Sequence, residues 1–505
     1  MQWLRRVHRA AHKAVDGTGV VLFRVVFGVL MVYGELRHQI EYRDMEYRFR
    51  EPALILPHWL FRVVPGLDMV FPPPDPGLFL YWLAMVLSAM AIALGLATRT
   101  AAAVFGVLYS ISFLAEQSAY NNHYYLICMI AGFLACVHSD MGLALSPSSS
   151  STKAVPRWHR DIFRFLVVIV YFYGGLAKIN KDWLRGEPIR ASLVVTPEQF
   201  DLWWIREAFV VVLCGGGLVF DLCVGFALLH PIGRNLALPL VLYFHTSNWL
   251  MFNIGVFPFL MVGASVLFYD GAELEAALRS IQPWLPLRAH GGIRATVGLL
   301  ARMRPSSSHL SPRRVLRGRR RTTLLLLAFV AFQLLFPLRH FVLNAPAGHL
   351  VHWNENGHKF SWHMKLRAKA CEGEWSYVNN RGHKREIHLA NYLTPRQQSR
   401  ALDNPDVMWI FAQWISVQHN GAPVFADIRC GLNGRPKVAF TLPDVDIASS
   451  VVPWFGTAPF ITTDYGPLEY PAHVQAFDLA ALAMACVGTA VLLWLFRILV
   501  RPRAW

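Results

Sequence analysis

The chain is short of charge. Only 16% of its 505 residues are Asp, Glu, Lys or Arg, against 54% hydrophobic, and mean hydropathy is +0.35. That balance excludes one soluble domain of this size. The charge also leans one way, with 48 Lys and Arg against 32 Asp and Glu. In a soluble chain a net +16 would point to nucleic acid, but no RNA- or DNA-binding motif is present. In a membrane protein, Lys and Arg mark cytoplasmic loops. Cysteine is sparse, seven in all, and Cys128, Cys136, Cys214, Cys223 and Cys486 fall in apolar runs, where they read as small core residues. No HExxH, paired CxxC, phosphate-cradling glycine loop or GxSxG occurs, so the usual metal, nucleotide and hydrolase signatures are missing. His358 and His363, five apart in GHKFSWH, are poorly spaced for ligation from one helix face. No internal repeat is found.

What is there is length of apolar run. A bilayer crossing takes about 20 apolar residues. Runs at 18–36, 77–97, 100–117, 123–143, 161–179, 207–230, 234–251, 253–269, 323–341 and 476–499 approach or meet that length, with 234–251 and 253–269 close enough to form a re-entrant pair. The expected fold is a polytopic α-helical membrane protein with one small mainly-β (α+β) extracytoplasmic domain. Residues 1–341 form the helical bundle of about nine spans, 342–475 the outer domain, and 476–505 a last helix and basic tail. The N-terminal MQWLRRVHRAAHKAVDG precedes an apolar run with no clean small-residue cleavage site, which reads as a retained first helix rather than a removed signal. Threading the spans from a cytoplasmic N-terminus puts the basic clusters at 5–13, 153–160, 302–321 and 497–503 on the cytoplasmic side, both termini included.

Within 342–475, EWSYV, REIHL, VFADIRC and KVAFTL alternate and are separated by NNRG, GLNGRP and PD, the signals of strands and turns. Residues 394–419 read as helical, with MWIFAQWI as the apolar face. Cys371 and Cys430 both fall here, on an oxidising face, as a candidate disulfide; two free thiols are the alternative. SPSSSSTK at 146–153 reads as a cytoplasmic linker. In 270–322, ELEAALRSI reads as a surface helix and PSSSHLSPRR as disordered.

This topology gathers ionisable residues on one membrane face. His123 opens the fourth span, Lys178 closes the fifth, His245 nears the outer end of the seventh, and His340 ends the ninth. Ionisable residues within spans are costly and are functional candidates by default. Each has a plainer reading. Lys178 snorkels to the headgroups, as Lys181 beside Asp182 does. His123 caps a helix at the interface. His245, with Ser247 and Asn248, hydrogen-bonds between helices. Asp221 lies deeper and either pairs with a cation or is neutral, and the glycines at 215–217 suggest close helix packing. The shared face favours one pocket.

These residues carry a resemblance. YFYGGLAKINKDWLRG (171–186), YNNHYYL (120–126), GGGLVFDLCVGF (215–226), FHTSNWLMFNIGVFPF (244–259), PLRHFV with WNENGHKFSWHMKLR (353–367), and PDVDI (443–447) resemble, in order, the motifs of the vitamin K-dependent γ-glutamyl carboxylase family. That family belongs to the superfamily with the horizontally transferred transmembrane domain. The resemblance spans about 100 to 450. It implies a lyase-class carboxylase that couples oxygenation of reduced vitamin K or menaquinol to its epoxide, with O2 and CO2, to carboxylation of glutamate in a secreted protein or peptide. Carried over by matched position, Lys178 is the base and His123 supports the phenolate. Asn122, His245, Asn248, His340, Phe360, Trp362 and Met364 lie near the quinone or the glutamate.

The implied chemistry is physically coherent. An amine is a base only without its proton, and a dry helix end disfavours the charged form. Water would quench a base strong enough for a glutamate γ-proton, so the pocket must be dry. The quinol arrives from the lipid and the peptide from outside. There are departures from the family pattern: only the second member of the family's lysine pair is present, in Ala177–Lys178, and the outer region is short. This suggests a bacterial or other non-animal homologue and puts the glutamyl substrate in doubt. The rival readings are a quinol epoxidase or oxygenase without protein carboxylation, and a non-enzymatic quinone- or lipid-binding membrane protein. A transporter is disfavoured because no paired broken helices occur in corresponding halves.

Overall fold

The computed structural model describes residues 2–466 apart from 43, 50–52, 63–66, 68–70, 75, 147–153, 193–202, 253, 285–286, 304–318, 345–350 and 453–455. The apolar run 476–499, Cys486, the basic tail and most of the basic stretch at 313–321 lie outside the described residues.

Among the described residues, four helices are long and apolar enough to cross a membrane: within Thr18–Tyr42, at Gly77–Leu94, at Thr98–Ala115, and across Arg320–Leu343. Shorter apolar helices cover Asn122–Cys136 and 213–229. The Lys178 helix, Arg157–Ala177, starts with two charged turns and then buries every residue from Leu166 to Leu176. Its first turns are tied by Arg157–Asp161 at 2.8 Å and Arg160–Asp270 at 3.0 Å, so the apolar run gains a polar extension at its N-terminal end. The bundle packs through rings such as Phe23 on Phe163 and Phe27 on Phe105. Leu80, Leu87, Val107, Leu236 and Leu325 remain exposed on its outside, the pattern a lipid-facing bundle requires.

Two ambiguous runs resolve differently. Pro231–Met251 is one helix, whereas Phe257–Phe268 bends by 109° into Gly271–Ile281. A second helix, Leu287–Met303, follows; the PSSSHLSPRR stretch is outside the described residues. Arg24 is buried in the first span and serves structure. Its guanidinium donates to Ile92 O at 2.9 Å, a carbonyl at the end of Gly77–Leu94, and to Leu143 O at 2.6 Å, in the segment after Asn122–Cys136.

Two short strands, β1 Ala14–Asp16 and β2 Ala154–Pro156, pair with each other, and the outer domain is a four-stranded antiparallel sheet of β3 Lys369–Val378, β4 Lys384–Ile387, β5 Val424–Leu432 and β6 Val438–Ala439, in the order β4-β3-β5-β6. Cys371 and Cys430 are register partners on β3 and β5 and are bonded. The helical stretch at 394–419 is two helices. Asn404 ends Pro395–Asp403 and caps Pro405–Gln418, accepting from Asp406 N and Val407 N, and Pro405 cannot continue the first helix. Phe411, Met408 and Ile415 pack on Trp375 and Val424 of the sheet. Part of the first outer loop joins this domain: Leu56 sits in its core and donates to Glu116 Oε2 at 3.1 Å. Gln397 Nε2 reaches the same carboxyl at 2.9 Å. Burial raises Glu116 above the usual carboxyl range.

Candidate functional site

The Lys178 helix ends at Lys178 because the chain turns there, Lys178 N donating to Gly175 O at 3.0 Å. The amine then folds back against the glycine helix, Trp203–Leu229. Nζ donates to Asp221 Oδ2 and, at 3.3 Å, to Gly217 O. The rings of Trp183 and Phe244 lie 5.0 and 5.7 Å from it. Both charged groups are buried, Lys178 6% exposed and Asp221 5%. The two helices touch where side chains are absent. A Cβ at Gly175 would stand 2.7 Å from Leu222 N, and one at Gly174 would be 3.1 Å from Met364 Cε. The closest approach of the two helices is thus at Gly175, with Gly225 against Val168, while Gly215 and Gly216 face nothing within 4 Å.

Asn122, His123, Lys178, His245, Asn248 and Met364 line one cavity of about 840 Å³. His123 is in the first turn of Asn122–Cys136, capped by Asn121 Oδ1 at 3.1 Å, and its ring stacks on Phe257 at 3.8 Å. His245 Nε2 lies 2.8 Å from Tyr171 OH, while its Nδ1 is buried without a partner among the described residues. Asn248 turns back on its own helix, donating to Phe244 O at 2.9 Å. Asn122 Nδ2 donates to His363 O at 2.9 Å and so holds the loop that carries Met364.

Three of the residues marked by resemblance are elsewhere. His340, Phe360 and Trp362 are not on the cavity wall. Phe360 packs among Tyr120, Tyr125 and His58, Trp362 lies against Tyr125, and His340 meets His363 edge to face at 4.8 Å while its Nδ1 faces Pro337 O at 2.8 Å. They form the packing behind the loop, whose next residues, His363 and Met364, line the cavity.

Sequence reasoning missed several groups here. His363 lines the cavity with both ring nitrogens buried and unpartnered among the described residues. Burial holds His358 and His363 well below the usual imidazole range. Their rings are 5.2 Å apart, and no group of three or more metal-type ligands occurs among the described residues. Asp182 is not a free interfacial carboxylate. It accepts from Arg435 Nη2 at 2.7 Å, Arg435 Nη1 at 2.8 Å and Asn433 Nδ2 at 2.6 Å, clasping the turn after Lys178 to the loop after β5.

The cavity runs between two chemistries. Its bundle end is walled by Val219, Val224, Ala227, Leu236 and Leu240; its outer-domain end by Glu355, Lys359, Arg367 and Arg400. The fold and this cavity define an integral membrane protein whose extracytoplasmic domain closes a buried amine–imidazole site at the bundle end. Comparison with known families agrees. The HTTM domain matches residues 12–272, over half of the chain, and the vitamin K-dependent gamma-carboxylase lumenal domain matches 319–464. No solved structure matches. The chain belongs to the vitamin K-dependent gamma-carboxylase family. At that level its function is gamma-carboxylase-like and its enzyme type carboxylase.

Proposed function

We propose that the chain oxidises reduced vitamin K or menaquinol to its epoxide and uses that reaction to carboxylate glutamate side chains of a secreted protein or peptide. The observation that carries this reading is the cavity, apolar at its bundle end and charged at its outer-domain end, with Lys178, His123 and His245 on its wall. Such a shape fits an isoprenoid quinol from the lipid meeting a polar peptide from outside. The donor set fits a quinol head as well: His245 Nδ1 is a buried polar atom in want of a partner. With O2, the quinol supplies the base that takes the glutamate γ-proton, and CO2 adds at that carbon.

The chain's own residues do the rest. Lys178 Nζ becomes the pocket's proton acceptor by passing its own proton to Asp221, which again balances the ammonium that results. His123, held flat against Phe257, presents an edge to the cavity. Tyr171 fixes the orientation of His245. The apolar walls exclude water from the strong base. The reading sets both termini in the cytoplasm and the cavity at the extracytoplasmic face, supported by the basic clusters on the opposite side. The test is one reaction in detergent, with quinol, O2, CO2 and a glutamyl peptide, analysed by mass spectrometry for both products. Epoxide with γ-carboxylated peptide is the expected result. Epoxide alone leaves a quinol epoxidase, and neither product overturns the proposal.

A further inference from the structure

Five cations line the cavity, and four already have a carboxylate partner, Glu355 serving Lys369 as well. Lys178 pairs with Asp221, Lys359 with Asp406, Arg367 with Glu355 and Arg400 with Asp403. Lys365 is the fifth. Among the described residues it makes no ion pair, and its ammonium lies 5.1 Å from the ring of Phe252. It is exposed where the others are not, and it lines the same cavity as His123. Its backbone is unusual too. Lys365 has φ +55°, in the left-handed region that a long L side chain seldom occupies, so the loop holds this amine there against local preference. Two residues before it, the unpartnered imidazole of His363 faces the same cavity.

We propose that Lys365 anchors the carboxylate of an acidic side chain, the glutamyl group of a peptide, at the outer-domain end of the cavity. This rests on the function proposed above and adds the contact that would select glutamate. The reaction needs one. Removing a proton beside a carboxylate builds a second negative charge, and an uncommitted ammonium offsets it where a neutralised one does not. His363 supplies the imidazole nitrogen that a bound carboxylate would also use.

The experiment is direct binding, independent of turnover. The full chain in zwitterionic nanodiscs is titrated with an acetylated peptide containing Glu and with its Gln counterpart. The wild type should prefer Glu by about tenfold or more. Lys365→Gln should bring the two affinities within about twofold, and Lys365→Arg should keep the preference. Naphthoquinone quenching of tryptophan fluorescence shows whether each variant cavity is intact. In the wild type the Glu peptide should protect Lys365 from amine acylation, read by mass spectrometry, and the Gln peptide should not. That reading holds even if a variant fails to fold. A Glu preference that survives Lys365→Gln with naphthoquinone still binding overturns the proposal. So does equal affinity of the wild type for both peptides, the result expected of a headgroup or bicarbonate site. Failure to form epoxide would sink the function above while leaving this affinity measurement readable.

Discussion

Lys178 and Asp221 are forty-three residues apart and share a buried salt bridge across a contact that Gly175 permits. The amine therefore has a counter-charge, which a lysine snorkelling to headgroups would not need.

The two lysines of AKINK should separate cleanly. Lys178→Ala removes the proton acceptor and should lower epoxide formation by about a hundredfold to ten-thousandfold. Lys181→Ala, outside the cavity, should change it by less than about twofold. Equal effects of both would contradict the assignment. Initial rates with saturating quinol decide it.

Asp221→Leu alone leaves a buried ammonium without its partner, and Lys178→Met alone leaves a buried carboxylate. Each should cost about 3–5 kcal/mol of stability. The double variant should recover most of that loss while staying inactive, because the charge has gone with its partner. Thermal denaturation in detergent gives the cycle.

Asp182→Asn should loosen the clasp to Arg435 without touching the cavity wall. A lost charged hydrogen bond of about 2 kcal/mol corresponds to roughly thirtyfold faster exchange. Hydrogen exchange should show it at 432–436 and 179–184 together. A change confined to one side would argue that the two segments are not coupled.

Acid should weaken the outer domain. Burial, reinforced by Lys359, holds His58 down to about 3, and its Nδ1 accepts from Leu60 N. The unfolded chain protonates this imidazole near pH 6.5. Its contribution is fully present above that value and is lost as pH falls from there toward 3. The slope is about 1.4 kcal/mol per pH unit for one proton. His358 and His363, lowered by burial, add in the same direction. His58→Asn should flatten part of the slope in denaturation followed from pH 8 to 5.

Some of this was legible in the chain and some was not. The runs from 18 to 341, the strands at 369–378 and 424–432, and the pairing candidates Cys371 and Cys430 are local patterns, and local patterns are what a sequence displays. Lys178 and His123 could be placed on one face because each sits at a helix end. Asp221 could not be assigned to Lys178, since that depends on how two helices rotate about a glycine contact. Asp182 looked like an interfacial residue because its partner, Arg435, is 253 positions away. Phe360 and Trp362 were marked as site residues with Met364, but the positive φ at both turns the loop so that their rings pack inward. The break at Asn404–Pro405 is readable from its cap and proline.

The clasp between Asp182 and Arg435 has a bearing on biogenesis. Lys178 is made early in translation and its turn is secured by a loop that emerges some 250 residues later. That loop follows directly on β5, which the Cys371–Cys430 bond staples to β3. A chain whose outer sheet has not yet formed offers Asp182 no guanidinium. The lysine turn is therefore complete only once the loop after β5 is in place, so the setting of the amine depends on the outer sheet.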